Sequence, residues 1–354
     1  MNWKTRTPAA FKCAVRALKK EIFGFSFDYP LYTVPEASEE DSLHYYLYSD
    51  ALSWEALRLD PNGIPMTWYR VTGAAYWPSY IAWYGLVQLG HYLRRGDEAN
   101  LKAFLKQVSW LEENAVLRSD GAVVWPMNFD YPNGAVVLKA PWISAYTQGL
   151  AISALVRAWR LTRRPELLKL LRRSADVFGL DVKDSGVRVS LDGHTLYTEI
   201  PGGPVPGILD GFMTSLIGLH DLYAETKDPI VGRLFEEGIA GLKYALPRWD
   251  YGRKWSWYGC RAYLSPPAYH NLNCLLLDVL ARLSEQPLLA EYAQQWSPKQ
   301  LSAFDRTEIY LGFVLTKNAN RLRHRTWRQK ADKASAPSRM LVPASLPQAS
   351  VGPE

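Results

Sequence analysis

Carboxylates, phenols and a guanidinium gather in three segments that are otherwise rich in Gly, Pro and Trp. These are Asp130 and Tyr131 within residues 121–139, Tyr197 and Glu199 within 186–203, and Tyr251, Trp255, Trp257, Tyr258 and Arg261 within 249–267, with Tyr269 just beyond. Trp and Tyr faces stack on sugar rings while their polar tips orient the ligand, so the set points to a polysaccharide. Packing of long segments on themselves explains the same aromatics equally well. A pair of acids facing a scissile bond would make a glycosidase. Glu199 with Asp130 or Asp210 supplies the residue types, without a diagnostic spacing. HExxH, a Gly-rich phosphate loop and GxSxG do not occur, so those metalloprotease, nucleotide and serine-hydrolase signatures are absent.

The elements that must position these groups are visible as a repeat. Four helical segments with little or no charge begin near Ser79, Trp142, Ile208 and Tyr269, at intervals of 63, 66 and 61 residues. Each leads through a polar turn into a second, amphipathic helix, and Pro165, Pro229 and Pro287 stand where three of those helices start. A helix apolar all round must be enclosed by protein, whereas an amphipathic one can face water. The pattern predicts a mainly α protein, an α/α toroid of about four helix pairs forming an incomplete α/α barrel. The three aromatic segments link each outer helix to the next inner one, which places them together over one mouth. Asn133-Gly134 and Asp192-Gly193 predict hairpin turns within them. Long linkers of this kind are commonly functional.

The predicted organisation is a basic amphipathic helix over 1–24, a small β-rich or irregular region over 25–77, the barrel over 78–316 and a basic, largely disordered tail over 317–354. The 354 residues carry 41 Lys+Arg and 35 Asp+Glu, a formal net charge of +6. Residues 1–20 hold six bases and no acid, and residues 317–354 hold eight bases against Asp332 and Glu354. The body between is therefore −6 and lacks the basic excess of a nucleic-acid binder. Hydrophobic content of 48% with 14 Trp and 21 Tyr excludes a disordered chain. Cys13, Cys260 and Cys274 follow no metal or disulfide spacing, which suits a reducing compartment.

No continuous apolar run in the first twenty residues suggests a secretory signal. The longest uncharged stretch, Val71–Leu93, contains Pro78, Gln88 and His91 and reads as a buried helix. Near the N-terminus, Phe11, Val15, Leu18 and Ile22 share a helical face flanked by Lys12, Arg16 and Lys19. Such a face fits an anionic membrane surface or the body of the protein. The expected location is cytoplasmic, with peripheral contact on the inner face of the membrane.

Two long runs resemble a known family. WISAYTQGLAISALVRAWRLT, from Trp142, resembles W-x-S-A-x-x-Q-G-x-A-I-S-x-L-V-R-A-x-x-L-T, and LDGFMTSLIGLHDL, from Leu209, resembles L-N-G-F-M-x-S-L-I-G-L-x-D-L. Both patterns belong to the C-terminal catalytic domain of the D-glucuronyl C5-epimerases. ALPRWDY, SWYGCR and YHNLNCLLL follow in the family's order, the last against Y-H-x-x-H-I-x-Q-L, and the similarity spans about residues 120–300. The resemblance implies conversion of D-glucuronate to L-iduronate within a polymer, as in heparan sulfate precursors. It also implies an α/α-barrel domain with β-rich N-terminal parts, usually in a homodimer. The partner would be a glucuronate-containing polysaccharide or a lipid-linked glycan, with no nucleic acid. No cofactor is required and no metal is assigned to the site; a structural Ca²⁺ is compatible with the fold.

Carried over residue by residue, the glutamate of the family's E-Y-P falls on Glu199, the tyrosine and arginine of I-Y-D-L-R-H on Tyr258 and Arg261, and the tyrosine of Y-H-x-x-H on Tyr269. The resemblance implies Glu199 and Tyr269 as the opposed acid/base pair. Tyr258 and Arg261 would orient and neutralise the substrate carboxylate. Trp142, Gln148, Asp210, Tyr197 and Arg253 are expected to line the mouth as substrate-binding residues. Two departures matter for the chemistry: Ile200 replaces the tyrosine after the glutamate, and Asn273 replaces the second histidine. Tyr197 or Tyr251 is the expected substitute for that tyrosine. A β-eliminating uronate lyase and a non-catalytic glycan-binding subunit are the competing readings.

Overall fold

The structure, a computed structural model, describes residues 24–27, 29–39, 41–49, 57–69, 72–133, 136–260 and 262–324. Four helix pairs follow one another: α1 (Pro78–Arg95) with α2 (Glu98–Glu113), α3 (Ala145–Thr162) with α4 (Pro165–Ser174), α5 (Leu209–Thr226) with α6 (Pro229–Ala245), and α7 (Pro267–Ser284) with α8 (Pro287–Gln295). The first member of each pair is 18 residues long. All four end the same way, on a left-handed residue: Gly96, Arg163, Lys227 or Glu285. One extended residue then leads into the outer helix, and Asp97 and Asp228 cap the outer helices through Ala99 N–H and Ile230 N–H.

Burial separates inner from outer as the charge pattern requires. Along α3 every residue from Ala145 to Ala158 is buried except Tyr146. On α4 only Leu167, Leu171 and Ser174 are buried, leaving its basic side in water. The inner helices pack in chain order, α1 on α3, α3 on α5 and α5 on α7. The α3–α5 crossing is a backbone-to-backbone contact. A Cβ on Gly149 would lie 2.6 Å from the Ser215 Cα, and one on Gly218 would lie 2.5 Å from the Gly149 Cα. This is an α/α toroid.

The linkers form small antiparallel sheets. Between α2 and α3, β6 (Val116–Leu117) pairs with β7 (Val123–Val124) and β8 (Tyr131–Asn133) with β9 (Val136–Leu138). Between α4 and α5, β10 (Arg188–Leu191) pairs with β11 (His194–Tyr197) through the Asp192-Gly193 turn, both residues at positive φ. Between α6 and α7, β12 (Asp250–Tyr251), β13 (Trp255–Tyr258) and β14 (Tyr263–Leu264) make a three-stranded sheet.

The N-terminal segment enters the barrel instead of lying on it. Here β1 (Tyr32–Thr33) pairs with β2 (Leu47–Tyr48), while β3 (Leu57–Leu59), β4 (Pro65–Tyr69) and β5 (Gly73–Ala75) form a separate sheet. Tyr45, Tyr46, Leu47 and Tyr48 belong to the main core. Tyr46 donates to Asp221 of α5 at 2.9 Å, and Asp221 pairs with Arg157 of α3 at 2.7 Å. Arg157 also donates to the His44 carbonyl and lies over the Tyr45 and Tyr46 rings. Burial alone would raise the Asp221 carboxyl; the Arg157 guanidinium holds it below the ordinary range.

At the other end of the chain, α9 (Ala303–His324) packs Ile309 and Phe313 against Trp255 and Leu264. It carries helix past residue 317, so the expected start of a disordered tail falls within a helix. The expected N-terminal helix over 1–24 lies almost wholly outside the described residues, as do 325–354. Among the described residues no helix is long and apolar enough to cross a membrane.

Candidate active site

The N-terminal ends of the inner helices converge at the mouth and carry the titratable groups. Tyr146 is the second residue of α3, Asp210 the second of α5 and Tyr269 the third of α7. Glu199 is delivered by the linker after β11, where the Ala145 N–H donates to the Thr198 carbonyl at 3.0 Å and ties that linker to the start of α3. Its side chain then lies along the first turn of α5, with Oε2, Cδ and Cβ in the space that a Cβ on Gly211 would fill. Only glycine at 211 admits the carboxylate there.

Tyr258 closes the cluster from β13. Its ring meets Tyr269 edge-on at 5.5 Å and stacks on Tyr263 at 5.0 Å. Glu199, Tyr146 and Tyr258 are half-buried, Asp210 is buried and Tyr269 is 42% exposed, which defines a cleft open on the Tyr269 side.

The electrostatics follow from that enclosure. Burial pushes the Glu199 carboxyl well above the ordinary range, and the nearby Asp210 charge pushes it further. Burial raises Asp210 too, opposed by its own backbone N–H in the first helical turn. Tyr146 and Tyr258 are held as neutral phenols, first by burial. For Tyr146 the charges of Glu199 and Asp210 come next; for Tyr258 they add to its tyrosine neighbours. These shifts identify one electrostatic unit of two carboxyls and several phenols in a cleft.

An apolar wall flanks the carboxyls. Trp142 stacks on Tyr131 with centroids 6.0 Å apart and planes at 18°, and Trp77 meets both rings. Ile200 packs in this cluster with Met127, Phe129 and Leu138. The residue after Glu199 therefore contributes to a hydrophobic wall, and its aliphatic side chain suits that surrounding.

The second departure from the motif lies behind the site. His270 accepts from the Ser256 N–H at Nδ1 (3.1 Å), pairs with the Trp296 carbonyl at Nε2 (2.8 Å) and stacks on Trp255 at 3.5 Å. Burial lowers its pKa to about 3, so it is a neutral clasp between β13 and α7. Asn273, one turn on, donates to the Ser256 Oγ at 3.2 Å. Both side chains thus brace the strand that carries Tyr258 against the helix that carries Tyr269.

Several expected mouth residues are engaged elsewhere. Gln148 is buried and donates to the Val123 and Ser174 carbonyls at 2.6 and 2.8 Å, clipping α3 to its neighbours. Tyr197 is buried with its hydroxyl on the Leu234 carbonyl of α6 at 2.7 Å. Arg253 sits exposed at positive φ in the β12–β13 turn, where its N–H donates to Asp250. Its neighbour Lys254 is bound to Asp305 and Glu308 of α9. Tyr251 donates to Glu308, so neither Tyr197 nor Tyr251 replaces the missing tyrosine.

Asp130 pairs with Lys139 and accepts from the Ala140 N–H within its own hairpin. Trp142 belongs to the wall, with its indole N–H on the Phe129 carbonyl at 3.0 Å. Arg261 lies outside the described residues. Tyr146 and Tyr263 were not singled out from the sequence. The signal for Tyr146 is its register, the same helix position as Asp210, at a place the family pattern leaves open. Among the described residues no group of three or more His, Cys, Asp or Glu is arranged to hold a metal ion.

The fold and the cleft together define an α/α toroid whose inner-helix N-termini surround two carboxyls and several phenols. The profile of the family described as D-glucuronyl C5-epimerase C-terminus matches residues 119–298, half of the chain, and the chain belongs to that family. It is 29% identical over 217 residues to D-glucuronyl C5-epimerase of Caenorhabditis elegans, a match covering 56% of this chain and 35% of that one. It is 24% identical over 178 residues to an uncharacterised protein of Methanocaldococcus jannaschii, covering 49% and 57% respectively. The chain thus spans about a third and somewhat over half of the lengths of these relatives. Among solved structures, the GH76 α-mannanase of Bacteroides thetaiotaomicron aligns at TM-score 0.46 and 11% identity, over 79% of each chain. A UGL variant with dGlcA-Glc-Rha-Glc aligns at 0.42 and 15%, over 69% and 74%.

Proposed function

We propose that this chain inverts C5 of D-glucuronate residues within a glycan, yielding L-iduronate, by removing a proton from one face and returning one to the other. The observation that carries this reading is the meeting of Glu199, Tyr258 and Tyr269, three positions matching the family's functional motifs, in one cleft. The difficulty of the reaction is electrostatic. C5–H lies beside a carboxylate, so its removal builds a second negative charge on an anionic group.

Glu199 Oε takes the C5 proton, and the electron pair left behind spreads into the C6 carboxylate. Its raised pKa makes Glu199 a stronger base than an exposed carboxylate. The Tyr258 hydroxyl, kept protonated, donates to the developing dianion, and such a donor is worth about 2–4 kcal/mol. The first turns of α3, α5 and α7 carry Tyr146, Asp210 and Tyr269, and helix N-termini favour negative charge. Tyr269, on the open side, gives its hydroxyl proton to C5 from the opposite face and regains one from water. Arg261, next to this sheet in sequence, pairs with the substrate carboxylate. Tyr131 and Trp142 form the wall against which sugar rings stack.

The test is incubation with glucuronate polymers and lipid-linked glucuronate glycans in D2O, followed by NMR. Deuterium at C5 with iduronate and intact chain length is the expected result. An unsaturated uronate absorbing in the ultraviolet would instead identify a lyase. Binding without deuterium exchange on every glycan would identify a non-catalytic subunit, and either outcome overturns the proposal.

A further inference from the structure

Glu199 and Asp210 both sit at the first turn of α5. Glu199 lies in the Cβ space of Gly211, and Asp210 is the residue immediately before it. Asp210 is 6% exposed. Among the described residues neither carboxyl has an ion-pair partner. The groups that face them are Tyr146 from α3, Tyr258 from β13 and Tyr269 from α7, with Tyr45 and Tyr263 beyond. All of these described groups are phenols. Two acids enclosed in this way titrate as one system and give up their second proton reluctantly. The related motif has an amide at position 210, so the second acid is a feature of this chain.

We infer that Glu199 and Asp210 hold one proton between them at neutral pH and that Asp210 is a second acid/base residue of the site. The inference rests on the epimerase reading above. Epimerisation runs in both directions, so the group on the Glu199 face must accept a proton in one and donate it in the other. When Glu199 abstracts the C5 proton, the shared proton resides on Asp210. The C–H bond breaks, an O–H bond forms at Glu199, and the pair passes from a monoanion with one proton to a neutral pair with two. Loss of one proton to water restores it. In the reverse direction the pair first takes a proton from water; Glu199 then gives its proton to C5 while Asp210 keeps the other, and the pair returns to the monoanion. Ionisation of both acids would repel the substrate carboxylate and close the site to it.

The experiment uses the full chain with ¹³C-labelled Glu and Asp side-chain carboxyls, followed by NMR from acid to alkaline pH. Glu199→Gln and Asp210→Asn assign the two resonances. In the unsubstituted protein both carbons are expected to shift in the same two steps, the upper one above the ordinary carboxylate range. Each variant should abolish that upper step, leaving a single one at least about one pH unit lower. A single Glu199 step at the same pH with and without Asp210→Asn would overturn the inference. If Asp210→Asn fails to fold, the Asp210 carbon in Glu199→Gln decides the matter from the other side. Kinetically, Asp210→Asn should move the alkaline fall of kcat/KM upward by about one pH unit. Coupled titration without any C5 exchange would leave the pair standing and overturn the epimerase reading alone.

Discussion

At the scale of single residues, the group proposed as the base is also a cost to the fold. Glu199 has a folded-state pKa above its unfolded value, so its contribution to stability is full below the ordinary carboxylate range. That contribution is lost as pH rises through the folded value. Glu199→Gln keeps the shape without the charge. It should therefore reduce C5 exchange by about 10²–10⁴-fold and raise the melting temperature at neutral and alkaline pH, compared by calorimetry at several pH values. His270 has the opposite sign. Its pKa is lowered to about 3, so the stability it contributes is present above its ordinary value near 6.5 and is lost as pH falls from there toward about 3. Denaturant melts between these limits should weaken steadily, and His270→Gln should flatten the dependence. The motif resemblance located Glu199, Tyr258 and Tyr269. It said nothing of Tyr146, because a residue's approach to a carboxylate depends on where its helix starts. The expectation that Gln148 and Tyr197 line the mouth follows their sequence neighbours, although their polar atoms bond to backbone carbonyls.

At the scale of elements, two glycines set distances that the site needs. Gly211 lets Glu199 lie on α5, so Gly211→Ala should cost most of the exchange activity while the far-ultraviolet dichroism stays helical. Gly149 sits at the α3–α5 crossing, where an added methyl group meets Ser215 backbone. Gly149→Ala should lower stability by about 1–3 kcal/mol or more, read from urea unfolding, because overpacking at a backbone contact has no side chain to displace. The helices themselves were legible in the sequence, since charge and apolar period report which face meets water. The turns between them were legible at Pro165, Pro229 and Pro287. The left-handed residues Arg163, Lys227 and Glu285 were not, because non-glycine residues enter that conformation only when the packing on both sides demands it.

At the scale of the molecule, the N-terminal segment and the barrel are one body. Arg157, Asp221, Tyr46 and the His44 carbonyl form a buried junction among α3, α5 and the segment before β2. Asp221→Asn leaves the guanidinium without its counter-charge and should destabilise the whole fold by about 3–5 kcal/mol, measured by denaturant unfolding as a single transition. Composition described residues 25–77 only as a small β-rich or irregular region, because short strands with Tyr and Pro have no period that distinguishes a core plug from a surface flap. The charge partition, by contrast, was informative from the start: a body of −6 has no net positive charge, so the acidic glycan proposed as substrate would be held through local donors and helix ends.

The central claim is that one cleft moves a proton at C5 from opposed faces, and wash-out of label tests it most directly. A glucuronate polymer deuterated at C5 is incubated in ordinary water with the unsubstituted chain, Glu199→Gln and Tyr269→Phe, and residual C5 deuterium is followed by NMR. The account predicts that the unsubstituted chain releases deuterium without shortening the polymer and produces iduronate. Both variants should still bind the polymer yet produce no iduronate. Undiminished conversion by either variant, or retention of all deuterium by folded, glycan-bound unsubstituted protein, would contradict it.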